Sequence, residues 1–463
     1  MQSGSEGGQD QLRSMPGSPR CPRQSALSRT FPPSLASSSR TGLAGPFRVS
    51  GIEYSSNTDI RQRNQVGTPA GGSRSMFGKT NPTLTERDVL QALKGVKDPD
   101  LGRDLVDLGM IKDVRISDGT VALMVNLTTP ACPLKAQIER DVRTALQNRL
   151  PGEWNLNITM GAEVRGKGIT ESGDIPGIKN VIAVGSGKGG VGKSTMAAAI
   201  AFGLRSYGAS VGLMDADVYG PSIPHLVGAS GRPMARGDRI QPIETNGLKL
   251  MSMGFLLEPD RAVIMRGPML HGIMQQFLRQ VDWGQLDYLV IDLPPGTGDV
   301  PLTLAQTLPL TGAVVVCTPQ EVALLDATRV IMMFRQLRVP VLGMVENMAF
   351  FDVLAYLKDR GGPEAHKMVD SKTFFDVPGD ERVYLFGRGG ARRKAEEMGV
   401  PFLGEVPLNL YLRETGDEGK MEHALLPGSP ARHYLLGVVE QLAAQISIQN
   451  IKTPKMPKLE ILN

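Results

Sequence analysis

The nine residues Gly187-Lys-Gly-Gly-Val-Gly-Lys-Ser-Thr195 restrict the fold of this chain more than any other segment. They follow the apolar run Val181-Ile-Ala-Val-Gly185 and lead into Met196-Ala-Ala-Ala-Ile200, so the pattern G-x-x-x-x-G-K-[ST] lies between a buried strand and a helix. Phosphate binding requires that context. Glycines let successive backbone N–H groups converge on phosphate oxygens, and the start of the helix adds its positive end. Lys193 then reaches the β- and γ-phosphates of a nucleotide, and Ser194 offers a hydroxyl to magnesium. A glycine-rich turn without a ligand is the plain alternative, and it would need neither flank.

Strands and helices alternate around this loop from Asn180 to about Gln445, the pattern of an α/β domain with a mostly parallel sheet. We assign that domain to residues 179–447. A small α+β domain is expected in front of it, over 81–160. Thr83 and Glu86 form a capping box there, followed by Val89, Leu90 and Leu93 at helical spacing. Val121, Leu123, Val125 and Leu127 share one face of a strand, and Leu134, Ile138, Val142 and Leu146 one side of a helix. Asn155–Met160 gives a last short strand. Glycine-rich residues 161–178 read as a linker, and residues 448–463, with prolines in Lys452-Thr-Pro-Lys-Met-Pro-Lys458, as a tail.

Composition narrows the classes further. A chain of 463 residues with 41% hydrophobic and 21% charged residues has enough apolar surface for two or three folded units. No apolar run is long enough for a membrane-spanning helix, although a peripheral membrane role stays open. Three cysteines, Cys21, Cys132 and Cys317, rule out a disulfide framework and point to a reducing compartment. The net charge of +4 comes from residues 1–80, which hold ten basic and four acidic side chains. The rest is close to neutral, which removes the electrostatic case for nucleic acid. Residues 1–80 are rich in Ser, Gly, Pro and Arg and read as a disordered leader. An organellar transit peptide, or a start upstream of an internal initiator at Met76, are the two readings of it. The compartment is therefore cytoplasmic, or the interior of a plastid or mitochondrion if the leader is a transit peptide.

A second lysine, Lys188, directly follows the first glycine of the loop, although Lys193 already serves the phosphates. In this the chain resembles the deviant Walker-A group of MinD, ParA and the nitrogenase iron protein. The resemblance implies that Lys188 reaches across a homodimer interface to the partner's nucleotide. Two strand ends supply acids. Val211-Gly-Leu-Met-Asp-Ala-Asp217 ends in Asp215 and Asp217, and Tyr288-Leu-Val-Ile-Asp292 ends in Asp292. Carboxylates there face the ligand crevice of a parallel sheet. By the resemblance, Asp292 joins Ser194 at magnesium, Asp217 orients the attacking water, and Asp215 is a structural partner. Asp299, after Gly296 and Gly298, belongs to a switch or to a surface loop. Asn347, at the end of Val341-Leu-Gly-Met-Val-Glu-Asn347, is implied to bond the adenine, with Pro407 packed against it. The ATP set is then Gly187, Lys188, Gly189, Gly190, Val191, Gly192, Lys193, Ser194, Thr195, Asn347 and Pro407, and the catalytic set Lys188, Lys193 and Asp217.

These motifs, with Asp217-Val-Tyr-Gly-Pro-Ser222, Met265-Arg-Gly-Pro268, Asp292-Leu-Pro-Pro-Gly-Thr-Gly-Asp299 and Glu346-Asn-Met348, resemble the Mrp/ApbC branch of P-loop ATPases. Asp98-Pro-Asp-Leu-Gly102, Val106-Asp-Leu-Gly109 and Thr128-Thr-Pro-Ala-Cys-Pro133 resemble the SufT/PaaD-type domain. Together they imply an ATP-dependent iron–sulfur cluster carrier or assembly factor. It would bind a cluster, typically [4Fe–4S], at a homodimer interface and transfer it to apoproteins. The family bridges the cluster with a Cys-x-x-Cys pair, yet no cysteine lies between Asp352 and Val383 or anywhere beyond Cys317. Cys132 is the candidate ligand left, because Pro133 suits a first helical turn whose positive end would lower the thiol pKa. Its alternative is a buried small hydrophobe, and Cys317 reads as strand packing. His366 and Asp370, four apart in the 352–383 insertion, make a weak metal pair. Two other functions stay open: a ParA/MinD-like nucleotide switch, and a metal-free assembly chaperone.

Overall fold

Strict alternation along β2 (Thr120–Leu127) turns Val121, Leu123, Val125 and Leu127 inward, and this strand organises the N-terminal part. Before it come α1 (Glu86–Leu93) and β1 (Ile111–Ser117), and after it α2 (Lys135–Arg149) and β3 (Asn155–Ala162). β2 is central, antiparallel to β1 and parallel to β3. Val89, Leu93, Ile138, Val142 and Leu146 of the two helices close a separate core over its inner face. The capping box is Thr85 with Asp88, not Thr83 with Glu86: the Thr85 hydroxyl accepts the Asp88 N–H, and the Asp88 carboxylate accepts the Thr85 N–H. Both threonines have an acid three residues on, and the helix begins at Glu86.

The computed structural model describes residues 84–166, 175–256, 267–353, 356 and 382–452, all within one unit, Phe77–Asn463. The readings of residues 1–80 with Cys21 and Met76, of Thr83, of Met265 and Arg266, of the insertion interior with His366 and Asp370, and of the tail past Lys452 fall outside them.

The larger part runs β4 (Ile178–Ser186), α3 (Lys193–Ser206), β5 (Val211–Asp215), α4 (Ile223–Leu226), β6 (Ala235–Arg236), β7 (Arg239–Ile240), β8 (Ile243–Thr245), β9 (Leu248–Ser252) and α5 (Gly267–Arg279). It continues through β10 (Leu286–Asp292), α6 (Asp299–Thr307), β11 (Gly312–Cys317), α7 (Glu321–Gln336), β12 (Val341–Asn347), β13 (Phe351–Asp352), β14 (Arg382–Val383), α8 (Gly390–Met398), β15 (Phe402–Val406), α9 (Leu410–Asp417) and α10 (Arg432–Lys452). Eight strands form the main sheet in the order β15-β12-β11-β4-β10-β5-β9-β8. All neighbours are parallel except the edge pair β8–β9.

Buried on both faces, β5 and β11 are apolar almost throughout, as a doubly covered parallel sheet demands. One face packs on α3, α9 and α10, the other on α5, α6, α7 and α8. α3 reaches the sheet because it is rich in alanine and because Gly203 lets α10 approach. A Cβ there would stand 2.5 Å from a Val439 methyl. α10 continues to Lys452, past the boundary expected at 447. No described helix is long and apolar enough to cross a membrane.

The N-terminal part docks on the sheet domain of the same chain. Ala131 and Val164 lie in the larger domain's core, and Ile451 of α10 packs against the smaller one. The Thr129 and Tyr288 hydroxyls are 3.3 Å apart. Asn450 and Asn180 both donate to the Arg165 carbonyl, which pins the chain just after β3.

Candidate nucleotide-binding site

β4 delivers the chain into the loop at the carboxyl edge of the sheet, and the loop's glycines are there for conformation and space. Gly190 and Gly192 have φ of 80° and 85°, the left-handed region that disfavours a side chain. Gly192 caps α3, and a Cβ on it would stand 2.2 Å from the Asn347 amide nitrogen. A Cβ on Gly187 would meet the Asp326 backbone at 2.4 Å. At Gly189 and Gly190 it would meet no protein atom within 4 Å, so these residues border open space.

A cavity of about 290 Å3 opens there, lined among others by Lys188, Gly190, Ser194, Thr195, Asp217 and Ser222. Lys193 is only 6% exposed, and its Nζ lies 2.7 Å from Asp292 Oδ1, 3.5 Å from Asp217 Oδ2 and 3.2 Å from Ser194 Oγ. Ser194 donates to Asp292 Oδ2 at 2.5 Å. Sheet register explains the convergence, since Asp292 pairs with Asp215 on β5 and with Val184 on β4. Burial holds the Asp292 carboxyl above its usual range, with Lys193 and Ser194 opposing the shift. Asp217 Oδ1 is buried without a hydrogen-bond partner. The Ser194 hydroxyl and the Asp292 carboxylate make a hard oxygen pair, which fits magnesium, and the orphaned Asp217 oxygen is left free to accept from a further group.

Asp215, expected as a structural partner, spends both carboxylate oxygens on protein groups. It accepts from the Asp217 and Ile223 N–H groups and from the Ser252 hydroxyl. Burial, reinforced by the nearby Asp292 charge, pushes its pKa up to about 7.

A second cavity, of about 600 Å3, adjoins the first through Gly192, Thr195 and Leu226. Asn347 and Pro407 both line it, and Asn347 is nearly buried. Its amide donates to the Val191 carbonyl at 2.9 Å, which leaves Oδ1 as an acceptor. An acceptor at that point matches an adenine amino group. Sequence reasoning missed the aromatic wall of Phe351 and Tyr356, whose rings are 5.4 Å apart, and the polar pair Arg413 and Asp417. Phe351 and Tyr356 follow Asn347 closely in the chain and were legible as aromatic neighbours, whereas α9 carried no signal.

Lys188 lines the phosphate cavity, half-buried, and its ammonium forms no ion pair among the described residues. The Asp299 side chain lies outside what is described.

Cys132 departs from expectation. α2 begins at Lys135 behind an N-cap at Leu134, so the sulfur is set back from the helix's first turn. Burial first, then the Asp100, Asp98 and Glu440 carboxylates, push the thiol up to about 11 instead of lowering it, against one opposing backbone N–H from Leu134. Cys317 is buried on β11, and burial raises it to about 12. Among the described residues, no three His, Cys, Asp or Glu side chains are grouped to hold a metal ion.

Residues 177–358 and 367–443 match the family model "NUBPL iron-transfer P-loop NTPase", and residues 86–159 match "Iron-sulfur cluster assembly protein". The chain is 45% identical over 371 residues to an "Iron-sulfur cluster carrier protein" of Synechocystis sp., covering 79% of this chain and 99% of that protein. It is 42% identical over 357 residues to the "Fe-S cluster assembly factor HCF101, chloroplastic" of Arabidopsis thaliana, covering 75% of this chain and 62% of that one. Among solved structures, a nucleotide-binding protein of Archaeoglobus fulgidus in complex with ADP is 38% identical, at a TM-score of 0.45 over 56% of this chain and 92% of that one. By the extent of the first match and of the Synechocystis similarity, the chain belongs to the family of iron-transfer P-loop NTPases.

Proposed function

We propose that the protein is an ATP-dependent iron–sulfur cluster carrier and assembly factor, which binds a cluster as cargo, hydrolyses ATP as a homodimer and passes the cluster to apoproteins. The observation that carries the nucleotide half is the convergence of Lys193, Ser194, Asp217 and Asp292 at the mouth of a glycine cradle that adjoins a base-sized cavity. The cargo half is supported by both family matches and by the names of the relatives. A [4Fe–4S] cluster is the finer reading of that cargo. The compartment reading is cytoplasmic, with a plastid alternative that the chloroplastic name of the Arabidopsis relative favours.

In this reading the backbone N–H groups of 187–195 bind the phosphates, and Lys193 places its charge between the β- and γ-groups. Magnesium, held by Ser194 and Asp292, neutralises phosphate charge when bound. Asp217 orients water with its unpartnered oxygen. Asn347 accepts from the base, and Pro407 packs against it. Turnover is slow, because conformational change is the output. A metal-free assembly chaperone is the second reading, favoured by the raised pKa of both described thiols. A ParA/MinD-like switch shares the same nucleotide chemistry.

Iron and acid-labile sulfide bound per protomer after anaerobic reconstitution test the cargo, with Cys132→Ser in parallel. We expect binding by the parent and loss in the variant. Binding by neither would support the chaperone reading, and binding by both would remove Cys132 as a ligand.

A further inference from the structure

The loop that carries Asp217 is supported from behind by residues that do not reach the phosphate cavity. Asp215 ties both ends of the 217–222 loop. Its Oδ1 accepts the Asp217 N–H at 3.1 Å, and its Oδ2 accepts the Ile223 N–H at 3.2 Å. That second oxygen also accepts the Ser252 hydroxyl at 3.0 Å. Ser252 is fully buried at the end of β9, and its own oxygen accepts the Gly254 N–H at 2.9 Å. The turn that follows β9 is thereby joined to the Asp215 carboxylate through one hydroxyl.

Packing repeats the connection. A Cβ built on Gly254 would stand 3.4 Å from Pro221 and 3.4 Å from Pro224, and 3.2 Å from the Ser252 hydroxyl. Pro221 lies inside the Asp217 loop and Pro224 just beyond it, so the glycine is the surface on which the loop rests. The backbone at Gly254 is not in the left-handed region, so its conformation does not demand glycine. A methyl group there would meet the two prolines at ordinary contact distance and press on the Ser252 hydroxyl, which would have to give by a few tenths of an ångström.

We propose that Ser252 and Gly254 are positioning residues for ATP hydrolysis: the turn after β9 sets where the Asp217 carboxylate stands relative to Lys193 and the phosphate cavity. They act through Asp215 and the two prolines, without touching nucleotide. This rests on the reading of the protein as an ATPase. A shift of a few tenths of an ångström in the loop leaves the glycine cradle and the base cavity intact, and it displaces the group that orients water. The effect belongs in kcat and not in KM.

The test is steady-state phosphate release by the full chain as a function of MgATP, with Gly254→Ala and Ser252→Ala, alongside ATP affinity measured directly. Gly254→Ala adds only a methyl group and removes no hydrogen bond, so it keeps the test valid if Ser252→Ala folds poorly. We expect kcat to fall about tenfold in Gly254→Ala, with KM and ATP affinity within about twofold of the parent. A purely structural role would lower the amount of folded protein and leave both constants of the folded fraction alone. Parent-like kcat in Gly254→Ala, or a raised KM at unchanged kcat, would overturn the proposal while leaving the ATPase reading intact. A parent without turnover would overturn both.

Discussion

Lys193 has lost nearly all its water, and three oxygens replace it: Asp292 at 2.7 Å, Ser194 at 3.2 Å and Asp217 at 3.5 Å. A buried ammonium is tolerable only with such partners, and removing one partner of a buried pair costs about 3–5 kcal/mol. Cys132 shows the opposite balance, because burial and then the Asp100, Asp98 and Glu440 carboxylates disfavour its thiolate. With its pKa pushed up to about 11, the thiolate is a small minority at neutral pH. By linkage, the buried thiol holds its proton after an unfolded one has lost it. Its contribution to stability therefore falls as pH rises from the ordinary thiol range through about 11. Alkylation follows the thiolate. In a Cys21→Ser background, the rate of iodoacetamide labelling at Cys132, followed by peptide mass spectrometry, should rise about tenfold per pH unit up to at least about pH 10. A plateau near the ordinary thiol pKa would show that the sulfur is not buried among those carboxylates.

α3 joins the phosphate loop to the rest of the molecule, and its contact with α10 depends on one missing side chain. Gly203→Ala places a methyl group 2.5 Å from Val439, so either the helices separate or Val439 leaves its rotamer. Overpacking of this kind costs about 1–3 kcal/mol, which exceeds the gain of up to about 1 kcal/mol in helix propensity. Urea denaturation should therefore show a lower midpoint for Gly203→Ala, and a raised midpoint would mean the helices have room to adjust. Elements of this kind were legible where the signal is local. The loop at 187–195, the inward face of β2 and the acids ending β5 and β10 could be read because periodicity and strand ends confine them. The capping box slipped by two residues because Thr83 and Thr85 both have an acid three positions later. What the sequence could not show is contact between distant segments. Asp215 and Ser252 are 37 residues apart, and the carboxylate of Glu440 that disfavours the Cys132 thiolate comes from α10. Local spacing put that sulfur at a positive helix end, whereas burial, then the Asp100, Asp98 and Glu440 carboxylates, raise the thiol pKa instead.

At the scale of the molecule the remaining question is what Lys188 is for. One buried lysine already meets both acids, and a second cation in the same small cradle adds repulsion unless more negative charge arrives. Lys188 lines the cavity from a half-buried position and forms no ion pair among the described residues. Apolar groups lie nearby. Asp326 of α7 occupies the space a Cβ on Gly187 would need, and the same helix exposes Val322 and Leu325 by 65% and 59%. A second copy placing its nucleotide phosphates against this mouth would supply the missing charge and cover those side chains. Light scattering on the full chain with magnesium and ATP should then show the parent shifting toward dimer. If Lys188 serves a second copy's phosphates, Lys188→Ala should bind ATP with near-parent affinity and stay monomeric. Lys193→Ala should fail one step earlier, at nucleotide binding itself, with at least about a tenfold loss of affinity. A Lys188→Ala protein that dimerises with ATP as the parent does would assign this lysine to its own protomer's phosphates, and the interface would have to be sought on another face.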